Sequence, residues 1–360
     1  MSEIEEFFSN LTPRIQADLP AWYGTDAKLV SPPTFQLRDW SFFFRYVIQV
    51  SDSRTQAILV KMRHLENMGI RDAIKNSKMK AEIKNEYESL VKIRNIFVNQ
   101  TDKFSTIRHL AFYEDISAIV MEEADIQTLK SYFESPQMWI FGKARETFAT
   151  YMELTGHWLR LFHDQFSNVT EGPFFKEAFH LSAKENLEKI EADAGKIDLS
   201  FARDLLDKLY VKYSQESLPY RTIHDNFSAA NVFVTSDGRI CSFDPHNKLG
   251  PTYLDLAKLI IDLETCKIQV LTNGKSVPAS QLNKFNQSLL SGYFQTDSVN
   301  EIALNLFRLL LTIEKWEENE DKFKQGTGKS KLLYSAITPQ MRMFFLKHLQ
   351  KQVYQQDYNL

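Results

Sequence analysis

The chain has 360 residues, of which 43% are hydrophobic and 25% are charged, and its formal net charge is -3 at pH 7. This length and apolar content predict a globular protein with two cores and exclude a disordered chain. The small negative charge argues against a nucleic-acid partner. No apolar run reaches the ~20 residues that span a bilayer and no signal peptide is evident, so we expect a cytoplasmic protein without a membrane span.

The first third of the chain predicts an arm followed by a hairpin. Residues 1–33 mix a helical pattern with several prolines, so we interpret them as an N-terminal arm ahead of the first strand. Two runs rich in aromatic and β-branched residues follow at 42–50 and 56–62. A short polar segment joins them, which predicts a β-hairpin with Lys61 near the end of its second strand.

A helix and the rest of a small sheet come next. From Lys78 the apolar spacing changes to that of a helix, and Glu86 lies within the stripe that faces inward. A charge on a buried face requires a partner. Short apolar runs at 111–113 and 116–121 predict the remaining antiparallel strands, and the acidic residues 122–125 indicate a hinge.

Beyond the hinge the pattern is mainly helical. Residues 147–166 predict a buried central helix, and residues 200–214 predict a second one. Short strands return in the segment 220–245 and form a predicted hairpin that carries Asn231 and Asp244 at opposite ends. The sequence after this hairpin again predicts helices.

The hairpin region combines the side chains that phosphoryl transfer needs. That reaction requires oxygen ligands for magnesium, a cation near the phosphates and a group that orients the attacking hydroxyl. Asn231 and Asp244 would supply the ligands, although each also fits a strand start or a turn cap. Asp255 begins an apolar helix and would support the loop by accepting backbone N–H groups. We interpret His224 as bracing this loop rather than transferring a proton.

Lys61 is the candidate cation for the phosphates. It would reach the α- and β-phosphates of a nucleotide and be held by Glu86 from the following helix. The alternative is a solvated lysine at a strand end. The adenine would then lie against the chain near Met121, Glu122 and Glu123.

A glycine-rich phosphate loop is missing from the sequence. The turn before the first long strand is Arg38-Asp-Trp-Ser41, whose backbone cannot approach phosphates as closely as glycines allow. Arg38 or Ser41 would have to substitute for it. The segment 326–330 is similar to a Walker A motif, but that motif requires glycine where the chain has Phe323. We therefore interpret 326–330 as a surface loop.

The motifs resemble the aminoglycoside phosphotransferase and choline kinase-like family, whose pattern is His-Gly-Asp, four residues, Asn, a strand ending in a pair such as Asp-Phe, and then Asp-Leu-Ala. The corresponding residues here are His224-Asp-Asn226, Asn231, Phe243-Asp244 and Asp255-Leu-Ala257. The resemblance implies an α+β, bilobal protein kinase-like fold. It implies a small N-lobe, 34–123, with an antiparallel sheet and one key helix, and a larger helical C-lobe, 124–360, with a catalytic hairpin at 220–257. It also implies ATP, Mg²⁺ and a small hydroxylated substrate.

The sequence departs from the family at the catalytic position. Aligned on Asn231, the family's catalytic Asp falls on Asn226 and its preceding Gly on Asp225. Asparagine orients a hydroxyl but cannot accept its proton, and general base catalysis contributes about 10²–10⁴-fold. Asp225 would take over only if the loop were shifted by one residue.

Two functional hypotheses follow. The first is an ATP-dependent phosphotransferase acting on a sugar, amino sugar or amino alcohol; the second is a nucleotide-binding pseudokinase or scaffold, favoured by Asn226. Trp316 and the acidic residues 317–321 would attract a cationic acceptor, or else form a solvated helix face. The sequence leaves the oligomeric state open.

Overall fold

The computed structural model describes residues 2–38, 40–166, 168–195, 197–325 and 328–357, without the side chains of 323, 328–336 and 357. The chain divides into two compact units, Met1–Ile126 with Cys241–Pro245, and Gln127–Ile240 with His246–Leu360. No helix within the described ranges is long and apolar enough to cross a membrane.

The first unit is built around an antiparallel sheet. Its elements are α1 Glu3–Tyr23, β1 Lys28–Leu29, β2 Thr34–Arg38, β3 Ser41–Ser51, β4 Arg54–Arg63, α2 Ile70–Lys75, α3 Ser77–Phe97, β5 His109–Tyr113 and β6 Ala118–Glu122. The strands are ordered β1-β3-β4-β6-β5, and β2 also pairs with β3. The predicted hairpin is confirmed as β3 and β4, whose register places Phe43 opposite Lys61.

Residues 1–33, expected as an arm, contribute a core helix to this unit. Ser2 caps α1 through a reciprocal pair of hydrogen bonds with Glu5. The buried residues of α1 are spaced four apart, and the ring centroid of Phe7 lies 4.6 Å from that of Phe44 on β3. Pro13 and Pro20 lie inside the helix, yet this apolar stripe continues past Pro13 to Leu19 and the helix ends only at Tyr23. The packing of one apolar face therefore outweighs the helix-breaking tendency of proline.

The remaining elements are mainly helical, as predicted for the second half of the chain. They are β7 Ile126–Thr128, α4 Leu129–Phe133, α5 Pro136–Ile140, α6 Gly142–Phe166, β8 Thr170–Pro173, α7 Glu177–Ala194, α8 Ser200–Tyr213, β9 Ser217–Ile223, β10 Val232–Thr235, β11 Ile240–Ser242, β12 Lys248–Pro251, α9 Tyr253–Glu264, α10 Lys267–Leu271, α11 Ala279–Phe294, α12 Glu301–Gln325 and α13 Gly328–Asp357. Strands β8, β9 and β12 form an antiparallel sheet with β9 in the centre.

Helices α6 and α11 pack at unusually close range in the second unit. A Cβ atom on Gly156 would lie 2.0 Å from the carbonyl oxygen of Leu289, and one on Gly292 would lie 1.9 Å from that of Glu153. Only glycine fits at these two crossing points. The close approach places the ends of the two helices, which carry His163 and Tyr293, within hydrogen-bonding distance of each other.

The segment interpreted as a surface loop lies partly outside the described residues. Gly326 and Thr327 are not described, whereas Gly328, Lys329 and Ser330 form the first turn of α13. The loop interpretation is therefore wrong for these three residues.

Candidate active site

Lys61 lies at the centre of a buried charge cluster in the first unit. Side chains alternate between the two faces of a strand, and Lys61 on β4 points to the face that meets α3. Its Nζ atom lies 2.6 Å from Oε1 of Glu86 and 2.9 Å from Oδ1 of Asp244. The residue is only 2% exposed. The charge on Lys61 is thus balanced by two carboxylates rather than by water.

The two carboxylates reach Lys61 from different elements. Asn76 caps the start of α3 by accepting the N–H groups of Lys78 and Met79, and this orients the buried stripe that contains Glu86. Asp244 follows β11 by two residues and has a φ of 62°, a left-handed conformation that Asp adopts more readily than most residues. This turn directs its carboxylate to Lys61.

Arg63 is a fourth member of the cluster that the sequence reasoning missed. Its Nη2 atom lies 2.5 Å from Oδ1 of Asp244 and 3.1 Å from Oε2 of Glu86. Two cations and two carboxylates therefore form a neutral group with little exposure to water. The available signal was spacing, since Arg63 follows Lys61 by two residues on the same strand and so projects from the same face.

The predicted adenine-binding residues make contacts within the first unit. Met121 is buried on β6. The carboxylate of Glu122 accepts hydrogen bonds from Tyr23 and Arg108, both at 2.7 Å. Burial of the Tyr23 hydroxyl and its hydrogen bond to Glu122 raise the pKa of Tyr23. Glu123 forms a salt bridge of 2.7 Å with Arg45. Nucleotide contacts at these residues stay a prediction.

Between β2 and β3, Asp39 lies outside the described residues. Arg38 and Ser41 face each other in the register of these strands. The guanidinium of Arg38 lies 4.9 Å from the centroid of the Phe43 ring. A phosphate-binding role for Arg38 or Ser41 stays a prediction.

In the second unit, Asp255 holds the loop that begins after β9. Its Oδ2 accepts the N–H of His224 at 2.6 Å, and its Oδ1 accepts the N–H of Asp225 at 2.9 Å. Nε2 of His163 lies 3.0 Å from Oδ2, and Nδ1 of His163 lies 2.8 Å from the hydroxyl of Tyr293. Asp255 and His163 are fully buried. These contacts join α6, α9 and α11 to the loop.

Asp262 is a second support for the same loop that sequence reasoning missed. Its Oδ2 accepts the N–H of Ala229 at 2.9 Å. Asp262 follows Asp255 by seven residues, which is two turns of α9, so both carboxylates lie on one face of this helix. The spacing was visible in the sequence, but it did not reveal which backbone groups would approach that face.

Asp225 is in contact with two lysines and a histidine. Its backbone has a φ of 60°, and its Oδ2 lies 2.6 Å from Nζ of Lys248 and 3.7 Å from Nδ1 of His246. Lys258 donates to the carbonyl oxygen of Asp225 at 2.5 Å. Burial by itself would raise the pKa of Asp225, but the contacts with His246 and Lys248 and the charge of Lys258 lower this pKa to about 2. Such a carboxylate is a weak base.

We expect the contacts of Asp225 with Lys248 and His246 to make the free energy of unfolding depend on pH. The pKa of Asp225 is depressed from 3.8 to about 2 in the folded state, so its stabilisation is present above pH 3.8 and is lost as the pH falls toward 2. The expected contribution is about 2 kcal/mol. Urea unfolding of the wild type and of Asp225→Asn between pH 5 and pH 2 measures it. Equal losses of unfolding free energy in the two proteins would contradict the prediction.

Asn226 and Asn231 lie at the two ends of the turn that follows. The amide nitrogen of Asn231 donates to the carbonyl oxygen of Asn226 at 2.9 Å, and the N–H of Ser228 also binds that oxygen at 3.0 Å. An amide binds a cation through its oxygen, so the amide oxygen of Asn231 is the atom that would bind one.

Comparison with solved structures shows which known proteins share this fold. The choline kinase from Cryptosporidium parvum matches with a TM-score of 0.52 and 13% identity over 98% of this chain and 97% of its own. An amicoumacin kinase, solved in complex with AMP-PNP, Ca²⁺ and its ligand Ami, matches with a TM-score of 0.50 and 14% identity over 94% of this chain and 96% of its own. No protein-family model matches the sequence, and no curated protein sequence matches it significantly.

The chain has the protein kinase-like fold. The α+β architecture predicted from the sequence is therefore confirmed, with the antiparallel sheet in the first unit and the helical part in the second. A choline kinase and an amicoumacin kinase are thus among the proteins that share this fold, at 13% and 14% sequence identity.

Two cavities of the kinase-like fold lie beside the loop in the second unit. The Asn226 cavity has a volume of about 390 Å³, and the Asp225 cavity has a volume of about 450 Å³. Charged side chains that line the first are Lys130, Lys258, Asp262, Glu314, Lys315 and Glu318. Those that line the second are Asp225, Lys248, Lys258, Glu314, Glu317 and Glu318. The two catalytic candidates thus border different cavities that share the acidic side of α12.

The structure contradicts both interpretations of Trp316, which was expected either to attract a cationic acceptor or to lie on a solvated helix face. Trp316 is fully buried, its Nε1 donates to Glu320 at 3.1 Å, and Glu320 is paired with Arg342 at 2.7 Å. The indole is therefore part of the packing of α12 against α13. Glu317 and Glu318 line the Asp225 cavity, so a role for these two carboxylates stays a prediction.

Proposed function

We propose that this protein is an ATP- and magnesium-dependent phosphotransferase that acts on the hydroxyl of a small molecule. The observation that carries the proposal is the buried Lys61, which is held between Glu86 and Asp244. Burial of a lysine with two carboxylates is costly, and a phosphate-binding site is a reason to retain one. The kinase-like fold and the AMP-PNP bound to the amicoumacin kinase support the same conclusion.

The first unit would hold the nucleotide. Lys61 would bind the α- and β-phosphates while Glu86 fixes the position of its ammonium group, and Met121, Glu122 and Glu123 would border the adenine. Asp244 would offer a carboxylate oxygen to magnesium, and Asn231 would offer its amide oxygen. Such a set fits Mg²⁺, which binds one or two protein oxygens together with substrate phosphates. The ion would neutralise charge on the transferred phosphoryl group.

The second unit would hold the acceptor. Asn226 would orient the acceptor hydroxyl in the Asn226 cavity, and Asp255 and His224 would keep the loop in place. Glu318, which lines this cavity, and Glu317, which lines the neighbouring Asp225 cavity, favour an acceptor with positive charge, such as an amino sugar or an amino alcohol. The cytoplasmic location and the absence of a nucleic-acid partner also stay predictions.

The proposal predicts magnesium-dependent binding of ATP that requires Asp244. Calorimetric titration of ATP into the full chain, with and without Mg²⁺, measures this. We expect Asp244→Ala to lose the magnesium-dependent part of the affinity because the carboxylate ligand is gone. Asp115→Ala, in an exposed salt bridge of the same unit, is the matched control and should bind as the wild type does. No binding of ATP to the wild type would overturn the proposal.

A pseudokinase remains the alternative function, and two observations favour it. Asn226 occupies the position of the catalytic carboxylate, and the neighbouring Asp225 is neutralised by Lys248. A protein of this kind would bind the nucleotide without transferring phosphate. Restoring a carboxylate at position 226 distinguishes the two functions.

A further inference from the structure

Arg63 places a second cation on the carboxylate proposed to bind magnesium. Oδ1 of Asp244 accepts hydrogen bonds from Arg63 at 2.5 Å and from Lys61 at 2.9 Å. The Arg63 contact is the shorter one. A divalent cation bound to this oxygen would therefore face two positive charges at close range. Their repulsion is weakly screened, because the side chain of Arg63 is only 14% exposed.

The cluster also provides a second position for Arg63. Its guanidinium lies 3.1 to 3.2 Å from Oε2 of Glu86 as well as against Asp244. The planar guanidinium has several donors, so Arg63 is able to keep Glu86 while it releases Asp244. Lys61 has its own oxygen on Glu86. Loss of the Arg63–Asp244 contact would therefore leave both cations paired.

We propose that Arg63 competes with a divalent metal ion for Asp244. The inference rests on the proposed role of Asp244 as a magnesium ligand. With Arg63 in place, the free protein binds a metal ion weakly. Nucleotide phosphates favour metal binding because they bring negative charge to the ion and to the released guanidinium. Arg63 thus makes metal binding depend on the nucleotide.

Binding of Mn²⁺ to the nucleotide-free full chain, followed by electron paramagnetic resonance of the free ion, tests the proposal. Arg63→Met is expected to bind Mn²⁺ at least about tenfold more tightly than the wild type, because one positive charge is removed beside the ligand. Arg63→Lys keeps the charge and should bind as weakly as the wild type. Arg71→Met removes an exposed arginine of the same unit and should change nothing.

Two further variants keep the test decisive. Arg63→Gln removes the charge but keeps a polar side chain between Glu86 and Asp244, so it serves if Arg63→Met fails to fold, and it should also bind Mn²⁺ more tightly. Adding Asp244→Asn to either should abolish the gain. An unchanged or weaker Mn²⁺ affinity in the folded variants that lack the charge of Arg63 would overturn the inference. A gain in Mn²⁺ affinity in a protein that does not bind ATP would support Arg63 while refuting the proposed function.

Discussion

Asn226→Asp is expected to raise the rate of phosphoryl transfer by about 10²–10⁴-fold, the usual contribution of a general base. The substitution adds a carboxylate with almost no change in size, at a position that borders the Asn226 cavity. We expect Asp225 to be a poor base, because its contacts with His246 and Lys248 lower its pKa to about 2. Release of ADP with choline, ethanolamine, an aminoglycoside and a macrolide as acceptors measures the rate.

Two variants accompany this test. Asn226→Ala removes the amide and adds no base, so its rate should not exceed that of the wild type. Asp225→Asn should retain the wild-type rate if Asp225 does not act as the general base. Loss of the wild-type activity in this variant would identify Asp225 as the general base instead. If Asn226→Asp gains no turnover with any acceptor while it still binds ATP, the pseudokinase is the better description.

Asp255→Ala is expected to destabilise the second unit by about 3–5 kcal/mol, the usual cost of removing one partner from a buried charged network. The change leaves the N–H groups of His224 and Asp225 and Nε2 of His163 without their shared acceptor. Each buried donor that loses its partner costs about 1–3 kcal/mol. Urea unfolding followed by fluorescence measures the loss, and hydrogen exchange at residues 224 and 225 locates it.

The controls separate the hydrogen bonds from general effects of the substitution. Asp255→Asn keeps one carbonyl oxygen as an acceptor and should lose less stability than the alanine variant. Asp204→Ala, at an exposed position on α8, should leave unfolding unchanged. A loss below about 1 kcal/mol in Asp255→Ala would show that the loop is held by other contacts.

Most of the fold could be predicted because its elements follow local patterns. Strands β3 and β4 have continuous aromatic and β-branched runs, and α3 shows the spacing of an amphipathic helix with Glu86 on its buried face. Residues 1–33 showed a helical pattern, but their prolines favoured an arm, because the packing of α1 against Phe44 is a long-range contact that no local pattern predicts. The position of Trp316 was predicted wrongly because the sequence of an aromatic residue beside acidic residues does not show whether the aromatic lies on an exposed or a buried face of the helix.

The sequence by itself determined the chemical types at the candidate site and their order along the chain. Lys61, Glu86, Asn231, Asp244 and Asp255 were recognised by residue type, spacing and family pattern. Only the tertiary structure decided which charges meet. The pairing of Arg63 with Asp244 and that of Lys248 with Asp225 join residues on different elements. Local sequence patterns indicate which face of a helix or strand a side chain occupies. Ion pairs between elements depend on how those elements pack and on the turns that orient each side chain, and no local pattern predicts either.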